Sequence, residues 1–357
     1  MTGTSNRREF LRGGLIALAG LGAVACADRL PARSAGREPQ FTEYYRVFTD
    51  VEYATPVGRA HLLDVYVPLE AASAVPVVIF QMGSAFENDD VKGTAVPDDA
   101  DGIADTRARG MIDAPQLAVE WAPQGYAVVG LNVRSSSQAN FPAQVHDVKA
   151  AIRFLRAHAA EFGLDPDRFA TMGNSSGGWV ATMAALTSGV AELEGDLGYP
   201  EQSSAVSAVI DLFGPTDFLQ MDAHRTPDGQ VHDAADSPES VLMGFPIQSD
   251  PLAVEKANPA TYVRVDSPPA FITHGAADPL VPANQSEILF EAYAGAGATA
   301  TLVQLPGVGH TDAHLFDRDY SPGRVVQHTT GGITTSGTEP APTFDALRDF
   351  LATHLGS

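Results

Sequence analysis

The chain has 357 residues, 44% of them hydrophobic and 18% charged, so it can bury a large core and is not globally disordered. With 44 acids against 22 bases its formal net charge is −22, which excludes a basic nucleic-acid footprint and electrostatic docking of the folded part on anionic lipid. The single cysteine, Cys26, excludes an intramolecular disulfide and a cysteine-rich zinc site.

The N-terminus reads as an address. Arg7-Arg8 precede Phe10-Leu11, and the 11-residue apolar run Leu15 to Ala25 follows, too short to span a bilayer. This resembles a twin-arginine export signal over residues 1–25. Ala23-Val24-Ala25-Cys26 resembles a lipoprotein cleavage box, with Cys26 as the lipidated residue and the one attachment to membrane; Ala23-Val24-Ala25 is equally an ordinary cleavage site. The expected location is outside the cytoplasm, anchored at the outer face of the membrane or secreted. Residues 26–40 form a tether of Arg, Ala, Pro, Ser and Gly, and residues 41–357 a single domain.

That domain alternates strands and helices. Tyr44 to Val51 and Leu62 to Val67 are β-rich runs, and Pro76 to Phe80 is continuously apolar, as in a strand covered on both faces. A long insert follows, its end at Ala114 to Ala122 reading as helix. Gly125 to Asn132 is a strand. Pro142 to Phe162 has Val145, Val148, Ile152, Leu155 and Ala159 at spacings of three and four, a helix. Arg168 to Met172, Val206 to Phe213, Ala270 to Thr273 and Thr299 to Leu305 read as strands. Helices are expected at Ser176 to Thr187, Ala283 to Tyr293 and the C-terminus, where Phe344, Leu347, Phe350, Leu351 and Leu355 share a face. Strands alternating with helices imply an α/β fold: a mostly parallel sheet with helices on both faces.

Between a strand and a helix lies Gly173-Asn174-Ser175-Ser176-Gly177, a G-x-S-x-G centred on Ser175. A serine on such a sharp turn stands exposed at the head of a helix, where backbone N–H groups face developing negative charge. Ser176 competes, but its own frame starts with Asn174 instead of glycine. A serine needs a base that is itself oriented by a carboxylate, in the chain order Ser, acid, His. His310 follows a strand in a glycine-rich loop and is the candidate base, with His314 as rival. Asp278 follows the end of another strand and is the candidate acid, with Asp217 as rival and a cap as that residue's alternative role. His274 reads as structural; His224, His232 and His328 read as solvated.

At this point the chain resembles the α/β-hydrolases of the hormone-sensitive-lipase-like esterase group, nearest the bacterial feruloyl- and acetyl-xylan-esterase-like branch. The segments that carry the resemblance start at Phe141, Asp165 (D-P-D-R-F-A-T-M-G-N-S-S-G-G), Gly214 (G-P-T-D) and His274 (H-G-A-A-D-P-L-V-P), with P-G-V-G-H ending at His310. The resemblance implies an eight-stranded sheet with loop insertions over the active site. It also implies a Ser175-Asp278-His310 triad and hydrolysis of small-molecule or polysaccharide-linked esters without cofactor or metal.

One loop departs from the family pattern. Where the group has H-G-G-G and an aromatic residue, this chain has Met82-Gly83-Ser84-Ala85-Phe86. The expected oxyanion hole is the N–H of Ser84 or Ala85 with that of Ser176, since backbone donors survive side-chain change. Phe86 and Trp179 are the candidate substrate contacts, core packing being the other reading of Trp179. Glu87 to Asp105 holds seven acids against one Lys and reads as a solvated acidic flap; its spacing fits no calcium-loop template. The turn-rich segments 218–258 and 311–341 are expected to roof the site. Two alternatives share the fold. A serine peptidase of prolyl-oligopeptidase type would need a propeller that residues 1–40 do not supply, and a non-catalytic surface-binding lipoprotein would not need an intact triad.

Overall fold

The computed structural model describes residues 39–55, 58–93 and 111–356. The export signal, Cys26, most of the tether and the second half of the acidic insert lie outside these residues. No helix among the described residues is long and apolar enough to cross a membrane.

Eight strands were expected, and they form the centre of the sheet: β2 (Tyr45–Glu52), β3 (Leu62–Pro68), β4 (Val75–Gln81), β5 (Ala127–Leu131), β6 (Leu164–Asn174), β7 (Ala208–Leu212), β8 (Ala270–Gly275) and β9 (Ala300–Leu305). Three more extend it to eleven among the described residues: β1 (Gln40–Phe41) and the hairpin β10 (Val325–Thr330) with β11 (Ile333–Gly337). The order is β1-β2-β3-β5-β4-β6-β7-β8-β9-β10-β11. From β5 to β9 all neighbours are parallel.

Side chains of a strand alternate between faces, and here each face has its own core. In β4, Val75, Val77 and Ile79 enter one core, and Val78 and Phe80 the other. Among the described residues the five helices of at least eight residues are α1 (Ala114–Trp121), α2 (Ala143–Ala157), α3 (Ser176–Leu186), α4 (Asn284–Ala296) and α5 (Phe344–Leu355). Helices α2, α3 and α4 cover the first face, α1 and α5 the second. α1 starts where the Asp113 carboxylate accepts from Gln116 N–H. The helix expected over Pro142 to Phe162 is interrupted at His158, whose backbone leaves the helical region before a short turn Ala159–Phe162.

The register places the site. Gln81 pairs with Gly173, Asn174 with Leu212, and Gly275 with Leu305. The loops after β4, β6, β8 and β9 therefore leave the same edge of the sheet, and these loops carry Ser84, Ser175, Asp278 and His310.

Over residues 325–337 the hairpin corrects the expectation that 311–341 is a roof. β10 runs antiparallel to β9 and widens the sheet. Its turn is Gly331-Gly332, both in the left-handed region (φ 57° and 78°), as a two-residue hairpin turn requires. A Cβ at either glycine would meet nothing within 4 Å, so replacement costs backbone strain alone. Gly332→Ala is expected to cost roughly 1–2 kcal/mol. Amide exchange in β10 and β11 should then quicken about 5- to 30-fold. Unchanged exchange there would contradict this account of the turn.

Candidate active site

The nucleophile turn is built by close backbone approach. β6 ends at Asn174, Ser175 takes φ 53° and ψ −133°, and α3 starts at Ser176. A Cβ on Gly173 would overlap the Gly177 carbonyl, and one on Gly177 would overlap the Gln81 carbonyl oxygen. Only glycine lets α3 sit this close to β4 and β6. Ser175 N–H donates to Leu212 O at 2.9 Å, and Gly178 N–H donates to Ser175 O at 2.8 Å.

The loop after β4 lies against this turn. A Cβ on Gly83 would stand 2.5 Å from Ser175 Cβ. Gly83 N–H donates to Asn174 Oδ1 at 2.8 Å, and Ser84 N–H donates to Ser176 Oγ at 2.9 Å. Ala85 and Phe86 both have positive φ, 52° and 66°. Of the expected oxyanion donors, Ser84 N–H is thus occupied by the Ser176 hydroxyl. The Ala85 N–H meets no acceptor among the described residues, and the Ser176 N–H opens a helix, where the first N–H groups have no intrahelical partner.

His310 Nδ1 lies 2.7 Å from Asp278 Oδ2. A carboxylate only accepts, so Nδ1 carries the proton and Nε2 is left as an acceptor. The other oxygen, Asp278 Oδ1, accepts from Leu280 N–H at 2.8 Å and Val281 N–H at 2.9 Å. The carboxylate is fully buried, whereas the His310 side chain keeps 8% of its surface open. Burial by itself raises the Asp278 pKa. Hydrogen bonds from His274 and His310, and the charges of both rings, outweigh burial and hold it well below the usual carboxylate range. The Phe213 ring, on a backbone with φ 49°, packs edge-on to the His310 imidazole with centroids 4.7 Å apart.

The rivals have other work. Asp217 caps a short helix by accepting from Leu219 N–H. His274 is fully buried, 2.7 Å from Ser286 Oγ and 2.9 Å from Val281 O, the structural role expected of it. His314 is buried with neither ring nitrogen hydrogen-bonded among the described residues, and burial lowers its pKa to about 3. His232 was expected in solvent; it is buried and lies 3.0 Å from Glu239 Oε2. No group of three or more His, Cys, Asp or Glu among the described residues is arranged to hold a metal ion.

The BD-FAE family model matches residues 63–293, well over half of the chain. The chain belongs to the BD-FAE family. It is 28% identical over 239 residues to the probable carboxylic ester hydrolase LipM of Mycobacterium tuberculosis, covering 66% of this chain and 49% of that protein. It is 28% identical over 267 residues to the esterase LipQ of the same organism, covering 73% and 56%. The chain thus spans about half the length of the curated relatives it matches. A solved structure described as a truncated carbohydrate esterase from gut microbiota superposes with a TM-score of 0.70 at 32% identity, covering 90% of this chain and all of that one.

In this BD-FAE chain the two expected substrate contacts are core residues. Trp179 is fully buried and donates from Nε1 to Ala257 O at 2.7 Å. Phe86 is 6% exposed and packs edge-on to Trp179 and Phe218. Through Phe218 and Ala257 the 218–258 insert packs beside the nucleophile helix. Three further residues escaped the sequence reading: Phe213 against the base, and Asn174 with Asp312 behind the nucleophile turn. Phe213 read as the end of a strand, and the other two lack a motif of their own.

The Asp278 pKa gives a stability prediction. It is lower in the folded chain than the value of about 3.9 for an unfolded Asp. Its stabilisation is therefore full above pH ~4 and is lost as pH falls toward the folded value. Asp278→Asn should be destabilised at neutral pH, with the deficit shrinking below pH ~4 in urea titrations. A deficit that stays constant with pH would contradict this sign.

Proposed function

We propose that the protein is a carboxylic-ester hydrolase acting through Ser175, His310 and Asp278 with an acyl-enzyme intermediate, and that its substrates are acetyl or feruloyl esters linked to carbohydrate. The observation that carries the reaction is the pairing of His310 Nδ1 with the buried Asp278, at the edge of the sheet that also carries a serine on a strained strand-to-helix turn. The substrate class is supported by 32% identity to the truncated carbohydrate esterase, all of whose chain is covered.

Ser175 Oγ bonds to the ester carbonyl carbon while its proton passes to His310 Nε2. The carbonyl oxygen becomes an oxyanion, and the N–H groups of Ala85 and Ser176 receive it. Losing one such donor costs about 10²–10³ in rate. The tetrahedral intermediate collapses, and the alcohol leaves with the proton from Nε2. Water then gives a proton to Nε2 as it adds to the acyl carbon; collapse frees the acid and returns a proton to Ser175 Oγ. Asp278 keeps the ring in the tautomer that leaves Nε2 free and stabilises the imidazolium. Export on the Arg7-Arg8 signal, with a lipid anchor at Cys26, is part of the same proposal and suits a polymer-linked ester.

Ser175→Ala should remove turnover of p-nitrophenyl acetate, methyl ferulate and acetylated xylan with circular dichroism unchanged. A fluorophosphonate should label Ser175 in the parent protein. Label on Ser176, or undiminished turnover in Ser175→Ala, would refute the assignment. Turnover of long-chain esters with none of acetylated xylan or methyl ferulate would keep the chemistry and refute the substrate class.

A further inference from the structure

Asp312 stands two residues after His310, fully buried, and the reaction above gives it no step. Its two oxygens accept from Ile112 N–H at 2.9 and 3.1 Å. Oδ2 also accepts from Asn174 Nδ2 at 2.8 Å. The same Nδ2 lies 3.2 Å from Ile112 O, so the amide nitrogen of Asn174 is committed to this side. An amide has one nitrogen and one oxygen. Oδ1 is thereby turned to the opposite side, where it accepts from Gly83 N–H. A chain of hydrogen bonds thus runs from the loop of the base, through the residue before Ser175, to the loop that carries Ser84 and Ala85.

We infer that Asp312 is a positioning residue for the oxyanion loop: its carboxylate sets which way the Asn174 amide faces, and that amide holds Gly83 N–H. The inference rests on the ester-hydrolase reading for its kinetic consequence, though not for the bond it describes. A carboxylate suits this place because both of its oxygens lie against donors and neither carries a hydrogen that would oppose Ile112 N–H or Asn174 Nδ2. The fold tolerates this acid at a cost. Burial pushes the Asp312 pKa up to about 7, against the opposing pull of the Asn174 and Ile112 hydrogen bonds. A buried carboxylate that breaks the usual rule of the core is most readily kept for function.

Asp312→Asn separates positioning from bulk stability, because it changes one atom and removes a buried charge. Whichever way the new amide turns, its nitrogen faces a donor. Ile112 N–H is fixed in the backbone, whereas the Asn174 side chain can turn over. Turning over aims its nitrogen at Gly83 N–H and breaks that bond. Adding Asn174→Asp restores an acceptor toward Gly83 N–H and toward the amide at 312, and gives up the bond to Ile112 O.

With p-nitrophenyl acetate as substrate, Asp312→Asn should lower kcat by on the order of 10- to 100-fold with little change in KM. Its urea midpoint should not fall. The double variant Asp312→Asn/Asn174→Asp should recover part of the loss. Hydrogen exchange at the Gly83 amide reads the same bond without turnover; it should quicken in the single variant and slow again in the double. Wild-type kcat and wild-type Gly83 exchange in Asp312→Asn would overturn the inference. Gly83 exchange that stays fast in the double variant would overturn it too, leaving Asp312 a structural residue. Absent turnover in the folded parent protein would refute the hydrolase reading, and the Gly83 exchange pattern would still decide the positioning role.

Discussion

The carbonyl of Gln81 rests against Gly177, and Gly177 rests against Gly173. These contacts bring β4, β6 and α3 together with no side chain between them, and the rest of the site depends on that approach. It forces Ser175 into a positive-φ conformation that costs about 1–3 kcal/mol and would relax if the elements moved apart. They are held by burial. β6 is a central strand flanked by β4 and β7, and every residue of α3 is buried. The same approach lays the Gly83–Phe86 loop on the nucleophile turn, so the serine and its backbone donors are positioned by one packing arrangement. Parallel register does the remainder by delivering the loops of the acid and the base to the same edge.

Two buried carboxylates near this edge titrate in opposite directions, for reasons the contacts supply. Burial pushes both upward. Asp278 is countered by two imidazoles and two backbone N–H groups, and it stays ionised beside His310. Asp312 is countered by one amide and by the backbone N–H groups of Ile112 and of Asp312 itself, with Asp113 nearby raising it further, and burial wins. The first arrangement suits an acid that must hold and stabilise a charged ring. The second suits a group whose acceptor geometry matters more than its charge.

The central eight strands were legible because each is a short apolar or β-branched run bounded by turn residues. The Ser175 turn and the Asp278–His310 pair were legible because each of these residues follows such a strand in a small-residue loop. The β10–β11 hairpin carried a readable signal, Gly331-Gly332 between threonine-rich runs, which the polarity of the segment obscured. His232 looked solvated because its partner, Glu239, is seven residues away and set by the fold of the insert. Trp179 and Phe86 illustrate a limit of composition, since an aromatic ring next to a nucleophile serves packing or binding equally well until its exposure is known. Asn174 and Asp312 lie 138 residues apart, and no local pattern announces a hydrogen bond across that distance.

The central claim is that Ser175, the Ala85 and Ser176 N–H groups and the His310–Asp278 pair form a single esterase centre. The crystal structure of the protein after reaction with an alkyl phosphonate ester tests it most directly. The account predicts phosphorus bonded to Ser175 Oγ, a phosphoryl oxygen about 3 Å from both N–H groups, and Gly83 N–H still on Asn174. Phosphorus bonded to Ser176, or a phosphoryl oxygen turned away from both N–H groups, would contradict it.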